Sequence, residues 1–382
     1  MTALTEARAL AAERAAVLPT KRDEYWRYTD PRDLVAETAP KAAVFDDGGE
    51  APIFEAVDCV KIVFNDGVFD AASSDDLAVA GVEISRLAEG APAWAAELYG
   101  TLETEGQTPV KRPLAALNTA KATDGVLIRV TGKAAKPVSL IYNHKSETSD
   151  PILHHCIKME AGAELTLLES GPAGARFNQL MEVDLAAGAR FHHIRAQGRD
   201  QERRAVTHIF ARVADEALFK SFTLTANGAL TRNECVIDIT GSDAFAHVAG
   251  AALGDGAKDP FHHDDTVFIT HRGERCESRQ VFKNVLKNGA TGVFQGKILV
   301  KQGAQKTDGY QISQALLLDE NAQFLAKPEL EIYADDVKCS HGSTTGAIDE
   351  TALFYLRSRG IPTEEAEALL VLSFLADALE EI

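Results

Sequence analysis

Residues 330–350 read LEIYADDVKCSHGSTTGAIDE, and within them Cys339 and His341 stand two apart. Residues i and i+2 of a strand project from the same face. At the end of an apolar, strand-like run, the thiol and the imidazole would therefore share one space. Both are ligands for iron, zinc or copper, and iron–sulfur clusters accept cysteine and, less often, histidine. Two ligands cannot close a tetrahedral site. A metal held here takes its other ligands from elsewhere, including from a second chain. As an isolated C-x-H the pair is also compatible with a buried cysteine beside a surface histidine.

Three histidine doublets come next: His154-His155, His192-His193 and His262-His263. Neighbouring strand residues point to opposite faces, so a doublet is not a chelate by itself. The stretch FHHDDTVFITHRGERCESRQ gathers His262, His263, Asp264, Asp265, His271, Glu274 and Cys276. Two readings stand: polar ladders on a solvent face, or a metal or sulfur-relay site assembled by stacking. KRDEYWRYTD, residues 21–30, packs three aromatics among charges. It reads as an amphipathic helix end whose aromatics cover the core, or as a recognition segment. No G-x-x-x-x-G-K-[ST], strand-linked G-x-G-x-x-G or G-x-S-x-G is present, which sets aside the common nucleotide and hydrolase motifs.

The elements that position these residues divide by texture. Residues 1–112 mix helical and loop-like segments: TEARALAAERAAVL has helical spacing, and VDCVKIVFNDGVFD reads as a strand pair about Asn65-Asp66-Gly67. Residues 113–346 carry short β-rich runs such as GVLIRV, ELTLLES and ECVIDI. Between them recurs a small-residue turn: AGAEL at 161, AGARF at 187, ADEALF at 214, GSDAFA at 241, NGATGVF at 288, QGAQKTD at 302 and ENAQFLA at 320. The early members are regularly spaced and the later ones are not. Self-similarity without intervening helices predicts a stacked β-solenoid, with a β-sandwich as the competitor. Residues 347–382 turn helical, and helices after the last coil are expected to cap its open edge or to serve as a docking site.

Composition bounds the function. The chain has 382 residues and a net charge of −18, which argues against nucleic-acid or anionic-membrane binding. No apolar run reaches the length of a membrane span. Five dispersed cysteines without a C-x-x-C are neither a disulfide framework nor a zinc ribbon. With an N-terminus that does not read as a signal peptide, they predict a reducing, cytoplasmic setting.

LEIYADDVKCSHGSTTGAIDETALFYLRSRGI resembles the C-terminal signature of the SufB/SufD family, the paired scaffold subunits of the SUF iron–sulfur cluster assembly system. The run from GERCESRQ at 273 to DDVKC at 339 is similar to the same family without a gap, and LPTKRDEYWRYTD to its N-terminal motif. Ser340 and Gly342 stand where the SufB side carries acidic residues, so the likeness is to the SufD branch. GSTTG departs from the Ala-Thr-Val more usual between those glycines. The resemblance implies a mainly β fold, a right-handed parallel β-helix flanked by N-terminal and C-terminal helical regions. It implies pairing with SufB through the β-helix ends, and a SufC ATPase on the C-terminal helices, where Leu353, Phe354 and Leu356 form the expected stripe. It further implies a transient iron–sulfur cluster at the SufB interface. His341 would be the shared ligand, and Cys339 would lie beside it as ligand, sulfur relay or buried thiol. No stable cofactor is then expected in the isolated chain; a flavin in the full complex is compatible. The chain would be a scaffold and not an enzyme. Two alternatives are a β-helix polysaccharide-active enzyme, which would need grouped carboxylates or basic residues on one face, and a structural homodimer paired through the same edge.

Overall fold

The computed structural model describes residues 2–44, 46, 51–198 and 200–380. From Val126 to Gly346 the strands alternate between two sheets that face each other, each strand pairing with the one two steps later in sequence. Sheet 1 opens with the antiparallel hairpin Val60–Asn65 and Val68–Phe69, turned by Asp66 and Gly67 at positive φ. It continues in parallel through Val138–Asn143, Glu164–Gly171, Arg190–Gly198, Leu218–Ala226, Phe245–Asp255, Glu277–Lys287, Asp308–Leu317 and Lys338–Gly346. Sheet 2 opens with Val82–Arg86, antiparallel to Val126–Val130. It runs on through Ile152–Met159, Arg176–Leu185, Arg204–Val213, Leu230–Ile239, His262–His271, Thr291–Val300 and Gln323–Ile332. This is a parallel β-solenoid, and the sandwich alternative falls because the sheets pair in parallel, coil upon coil.

The repeated turn has a backbone cause. At the corner leading from sheet 2 to sheet 1, one residue per coil is left-handed: Gly162, Gly188, Glu216, Asp243, Arg275 and Lys306. The residue after it points inward, and Ala163, Ala189, Ala217, Ala244, Cys276 and Thr307 are all fully buried there. Only a small side chain fits where the chain reverses against the coil below. The turns at 288 and 320 belong to the opposite corner, where Ala290 and Ala322 take the same inward place. Two corners interleaved along one sequence make the later spacing look irregular.

Each sheet has an inner and an outer face, and helices cover much of the outer face of sheet 2 and the later strands of sheet 1. The N-terminal helices, including Ala93–Leu98, Thr101–Glu105 and Pro113–Lys121, pack Tyr99, Leu102 and Ala115 over Cys156, Leu180 and Phe210 of sheet 2. The C-terminal helix Thr363–Leu379 lays Leu375 and Ala378 on Phe222, Val281, Val285 and Leu316 of sheet 1. It thus covers a face rather than capping the end. Among the described residues, the last strand of each sheet keeps one edge unpaired.

The segment at 21–30 covers apolar core and charge together: Trp26 is buried among Leu34, Leu114, Val206 and Leu230, and Tyr25 packs edge-on against Phe268. Its one-turn helix Glu24–Trp26 crosses the outer face of sheet 2. The Arg232 guanidinium stacks 4.1 Å from the Trp26 ring, bonds Asp264 at 2.5 Å and Glu234 at 2.7 Å, and donates to the Tyr25 carbonyl at 2.9 Å. Burial pushes the Glu234 carboxyl upward, but Arg232, His208 and Arg112 outweigh it and hold it far below its ordinary range. Removing one member of such a group strands the others without water. Arg232→Ala is expected to cost about 3–5 kcal/mol of stability, read as a fall in the urea midpoint with the slope unchanged; a cost under about 1 kcal/mol would mean that the carboxylates find other partners.

Candidate functional site

The strand Lys338–Gly346 pairs with Asp308–Leu317 on one side only. Its register sets Cys339 on Gly309, His341 on Gln311, Ser343 on Ser313 and Thr345 on Ala315. Gly309, Gln311, Ser313 and Ala315 are the inward-facing, buried residues of their strand. Cys339, His341, Ser343 and Thr345 therefore continue the inner face of the solenoid, with no further coil above them among the described residues. The i, i+2 spacing does place Cys339 and His341 on one face, and that face is the open end of the barrel interior.

Local packing fits each side chain. A Cβ at Gly309 would come within 3.3 Å of Cys339 Sγ, so glycine there leaves room for the sulfur. Cys339 is half-buried against Ile298, Val300, Ala304 and Leu330, and burial pushes its thiol pKa up from its ordinary value. It is a protonated thiol until a metal or a base draws the proton. His341 is exposed, and Ser343 Oγ lies 3.1 Å from Ser313 Oγ. Across the end, Phe324, Ala326, Pro328 and Leu330 of the last sheet 2 strand pair with Gly292, Phe294, Gly296 and Ile298 and give an apolar facing wall. Proline is tolerated in a strand chiefly at an edge, which is where Pro328 lies. Leu353 and Leu356 are half-buried in the helix Glu350–Ser358, capped by Asp349, whereas Phe354 is 72% exposed.

The histidine doublets lie elsewhere, and of their members His192 joins a partly exposed polar ladder, stacked between Thr166 and Lys220 on the outer face of sheet 1. His155 is inside: its Nδ1 accepts from Val126 N–H at 3.0 Å, its Nε2 lies 3.1 Å from Tyr142 Oη, and burial pushes its pKa down to about 3. His193 is also inside, 2.6 Å from Glu169, whose carboxylate meets Arg195 at 2.5 Å and Tyr142 at 2.7 Å. Burial raises the Glu169 carboxyl, yet Arg195, His193 and His155 prevail and keep it well below its ordinary range. His263 is inside as well, 2.9 Å from Asp265, while His262 reaches Thr29 at 2.9 Å under the segment at 21–30. Cys276 is buried and Glu274 is an exposed partner of Arg275. The cluster read from the sequence is therefore split between the two faces of sheet 2 and a corner.

One ligand-like group was not legible from spacing alone. His154, Cys156 and Glu182 face outward from sheet 2, fully buried, with ligand atoms within 4.8 Å of one another. The H-x-C spacing on one strand was a signal; the glutamate 26 residues later becomes their neighbour only through the coil repeat (Cys156 pairs with Glu182). Glu182 already accepts from Gly100 N–H at 2.6 Å, Glu103 N–H at 2.9 Å and His154 Nε2 at 2.9 Å. It serves as a cap for the start of the helix Thr101–Glu105, tying the N-terminal layer to the solenoid.

His271 gives the chemistry of the interior a direct readout. Its Nε2 lies 2.9 Å from Ser278 Oγ, and burial pushes its pKa from 6.5 to about 4. The unfolded chain takes up this proton near 6.5, whereas the folded chain takes it up only near 4. Unfolding therefore binds a proton between those values, and stability falls as pH drops through that window. His271→Asn is expected to flatten the urea midpoint between pH 6.5 and 4; an unchanged pH slope would assign the acid sensitivity to the other buried groups.

The fold and site together are an open-ended β-solenoid with a cysteine and a histidine on the inner face of its last strand and apolar helices beside it. Residues 142–374, more than half of the chain, match the family model described as "SUF system FeS cluster assembly, SufBD core domain". The chain belongs to this SufBD family of iron–sulfur cluster assembly proteins. It is 29% identical to the iron–sulfur cluster assembly protein SufD of Escherichia coli over 96% of this chain and 85% of that protein. It is 27% identical to a SufBD family protein of Synechocystis, over 96% of this chain and 84% of that one. The SufD of Bacillus subtilis matches at 29% over 70% of this chain and 63% of its own length. No described helix is long and apolar enough to cross a membrane.

Proposed function

We propose that this chain is the SufD-type half of a cytoplasmic SUF scaffold, pairing with SufB through the open end of the solenoid and holding nascent iron and sulfide between the two. The observation that carries the reading is the last strand, unpaired along one edge among the described residues, with His341 on its inner face. A free parallel edge is a row of unused backbone donors and acceptors, and a second strand laid on it closes the sheet. The cluster is cargo here, not a resident cofactor. Imidazole holds iron and gives it up more readily than thiolate, which suits a site that must pass its cargo on. Cys339, half-buried beside it, supplies once deprotonated either a second ligand or a thiolate that takes the outer sulfur of a donor persulfide and releases the donor's thiolate. In this arrangement the chain has no catalytic step of its own.

The SufC ATPase is assigned to residues 347–382, with Leu353, Phe354 and Leu356 in the contact. Phe354, Tyr355, Leu369, Leu372 and Leu379 stay exposed on these helices, which supports an apolar partner surface. Nucleotide binding by SufC would then bias the SufB–SufD interface between two states.

Two experiments separate these parts. Clusters are reconstituted on the SufB–SufC–SufD complex carrying His341→Ala; cluster yield is expected to fall at least about tenfold, and a normal yield with intact assembly would remove His341 as a ligand. Phe354→Asp is expected to abolish SufC co-purification with thermal stability unchanged, and retained SufC would move the contact elsewhere. Deleting the C-terminal helices is the poorer test, because it bares the apolar stripe at Phe222, Val281 and Val285.

A further inference from the structure

Directly beneath His341, Gln311 is 0% exposed, and neither its Oε1 nor its Nε2 has a hydrogen-bond partner. Beneath Gln311 in the same inward row, Gln280 is also 0% exposed. Its Nε2 reaches the Lys297 carbonyl at 3.5 Å and its Oε1 is unpartnered. Buried amide groups are nearly always paired, and each exception calls for a partner.

The surroundings leave few candidates. In the coil of Gln311 the other inward residues are Gly309, Ser313 and Ala315, and the wall opposite is Phe294, Gly296 and Ile298. Ser313 is already bonded to Ser343. In the layer above, the facing wall is apolar, and Cys339 sits over Gly309. The polar group stacked on Gln311 from above is His341, and the one from below is Gln280. Strands stack about 4.8 Å apart, the spacing at which side-chain amides link into ladders.

We infer that Gln311 is a positioning residue for His341. Unpaired as they stand, its Oε1 is placed to accept the N–H of one imidazole nitrogen when His341 turns inward, and its Nε2 to donate to Gln280 Oε1. This pairs both Gln311 atoms and the free Gln280 oxygen in one chain. It fixes the imidazole in a single tautomer, with the lone pair of the other nitrogen aimed out of the open end, as partners behind a ligating histidine do. Gly296 is part of the device: a Cβ there would lie 2.3 Å from Gln311 Nε2, so glycine keeps the space that the amide occupies. The inference rests on His341 being the residue that meets the cargo.

The test uses the full chain without SufB. Nitrogen-15 NMR of the His341 ring, assigned by its loss in His341→Ala, is expected to report one neutral tautomer in the wild type. A mixture is expected in Gln311→Met. In Gln311→Glu the retained acceptor should keep the tautomer. Cobalt(II), used alone as the probe, is expected to bind about tenfold more weakly to Gln311→Met. The same tautomer ratio in wild type and Gln311→Met would overturn the inference. If Gln311→Met does not fold, Gly296→Ala takes its place: it leaves Gln311 present but displaces its amide, and an unchanged tautomer ratio there is equally fatal. Failure of the ligand reading is separate, since a normal cluster yield in His341→Ala leaves the tautomer result standing.

Discussion

Parallel pairing of each coil with the next is the interaction on which everything else rests. A strand of the solenoid satisfies its backbone groups only through the strands one coil before and one coil after, so the stack has an interior in which the ladder closes and two ends where it does not. At the first end the chain solves this with its own antiparallel additions, Val68–Phe69 and Val82–Arg86. At the other end no such addition follows Gly346 among the described residues, and the helices turn aside onto sheet 1. The residues capable of chemistry on the last strand are accessible because of that asymmetry. The same Cys339 and His341 one coil earlier would be sealed inside.

Much of this was readable in the sequence, for reasons that can be named. The recurring AGAEL-type turn carries a left-handed residue and a buried small one, both strongly selective positions, so the solenoid and its coil length were visible in the spacing. The strand pair at Asn65-Asp66-Gly67 was legible from turn chemistry alone. Cys339 and His341 on one face followed from the period of a strand. What could not be read was which of two faces a residue would take and what would lie over it. His154 and His155 are both buried, one under Tyr99 and one inside, because both faces of sheet 2 are covered. The turn of the C-terminal helix back onto sheet 1 likewise depends on an apolar stripe whose members, Phe222, Val281 and Leu316, are brought together only by the stacking.

Part of the interior is polar. Glu169, Arg195, His193, Gln179 and Tyr142 form a closed group that excludes water yet leaves no member of the carboxylate–guanidinium pair alone. Burying such a group gains little stability over an apolar filling of equal volume. Its effect is on register: a slip by one residue would turn Arg195 outward and leave Glu169 without a counter-charge. Apolar ring pairs such as Phe282 with Phe294 tolerate small displacements, but a carboxylate held by a guanidinium, an imidazole and a phenol does not. Accurate stacking through the middle coils is what delivers the last strand at the right rotation.

The segment at 21–30 has a consequence for how the stack comes apart. Repeat proteins usually fray from their ends one unit at a time, since each unit touches only its neighbours. Here Tyr25 donates to Glu329 at 2.6 Å in the last coil, its carbonyl accepts from Gln295 at 3.1 Å one coil earlier and from Arg232 at 2.9 Å three coils earlier, and Thr29 donates to Asp264 at 2.5 Å in between. One short stretch near the start of the chain thus staples four consecutive coils at the far end. The terminal coil cannot peel away without also loosening contacts deep in the stack, so its unfolding is coupled to that of the whole. The bare edge of the last coil is in this way kept ordered by the opposite end of the chain.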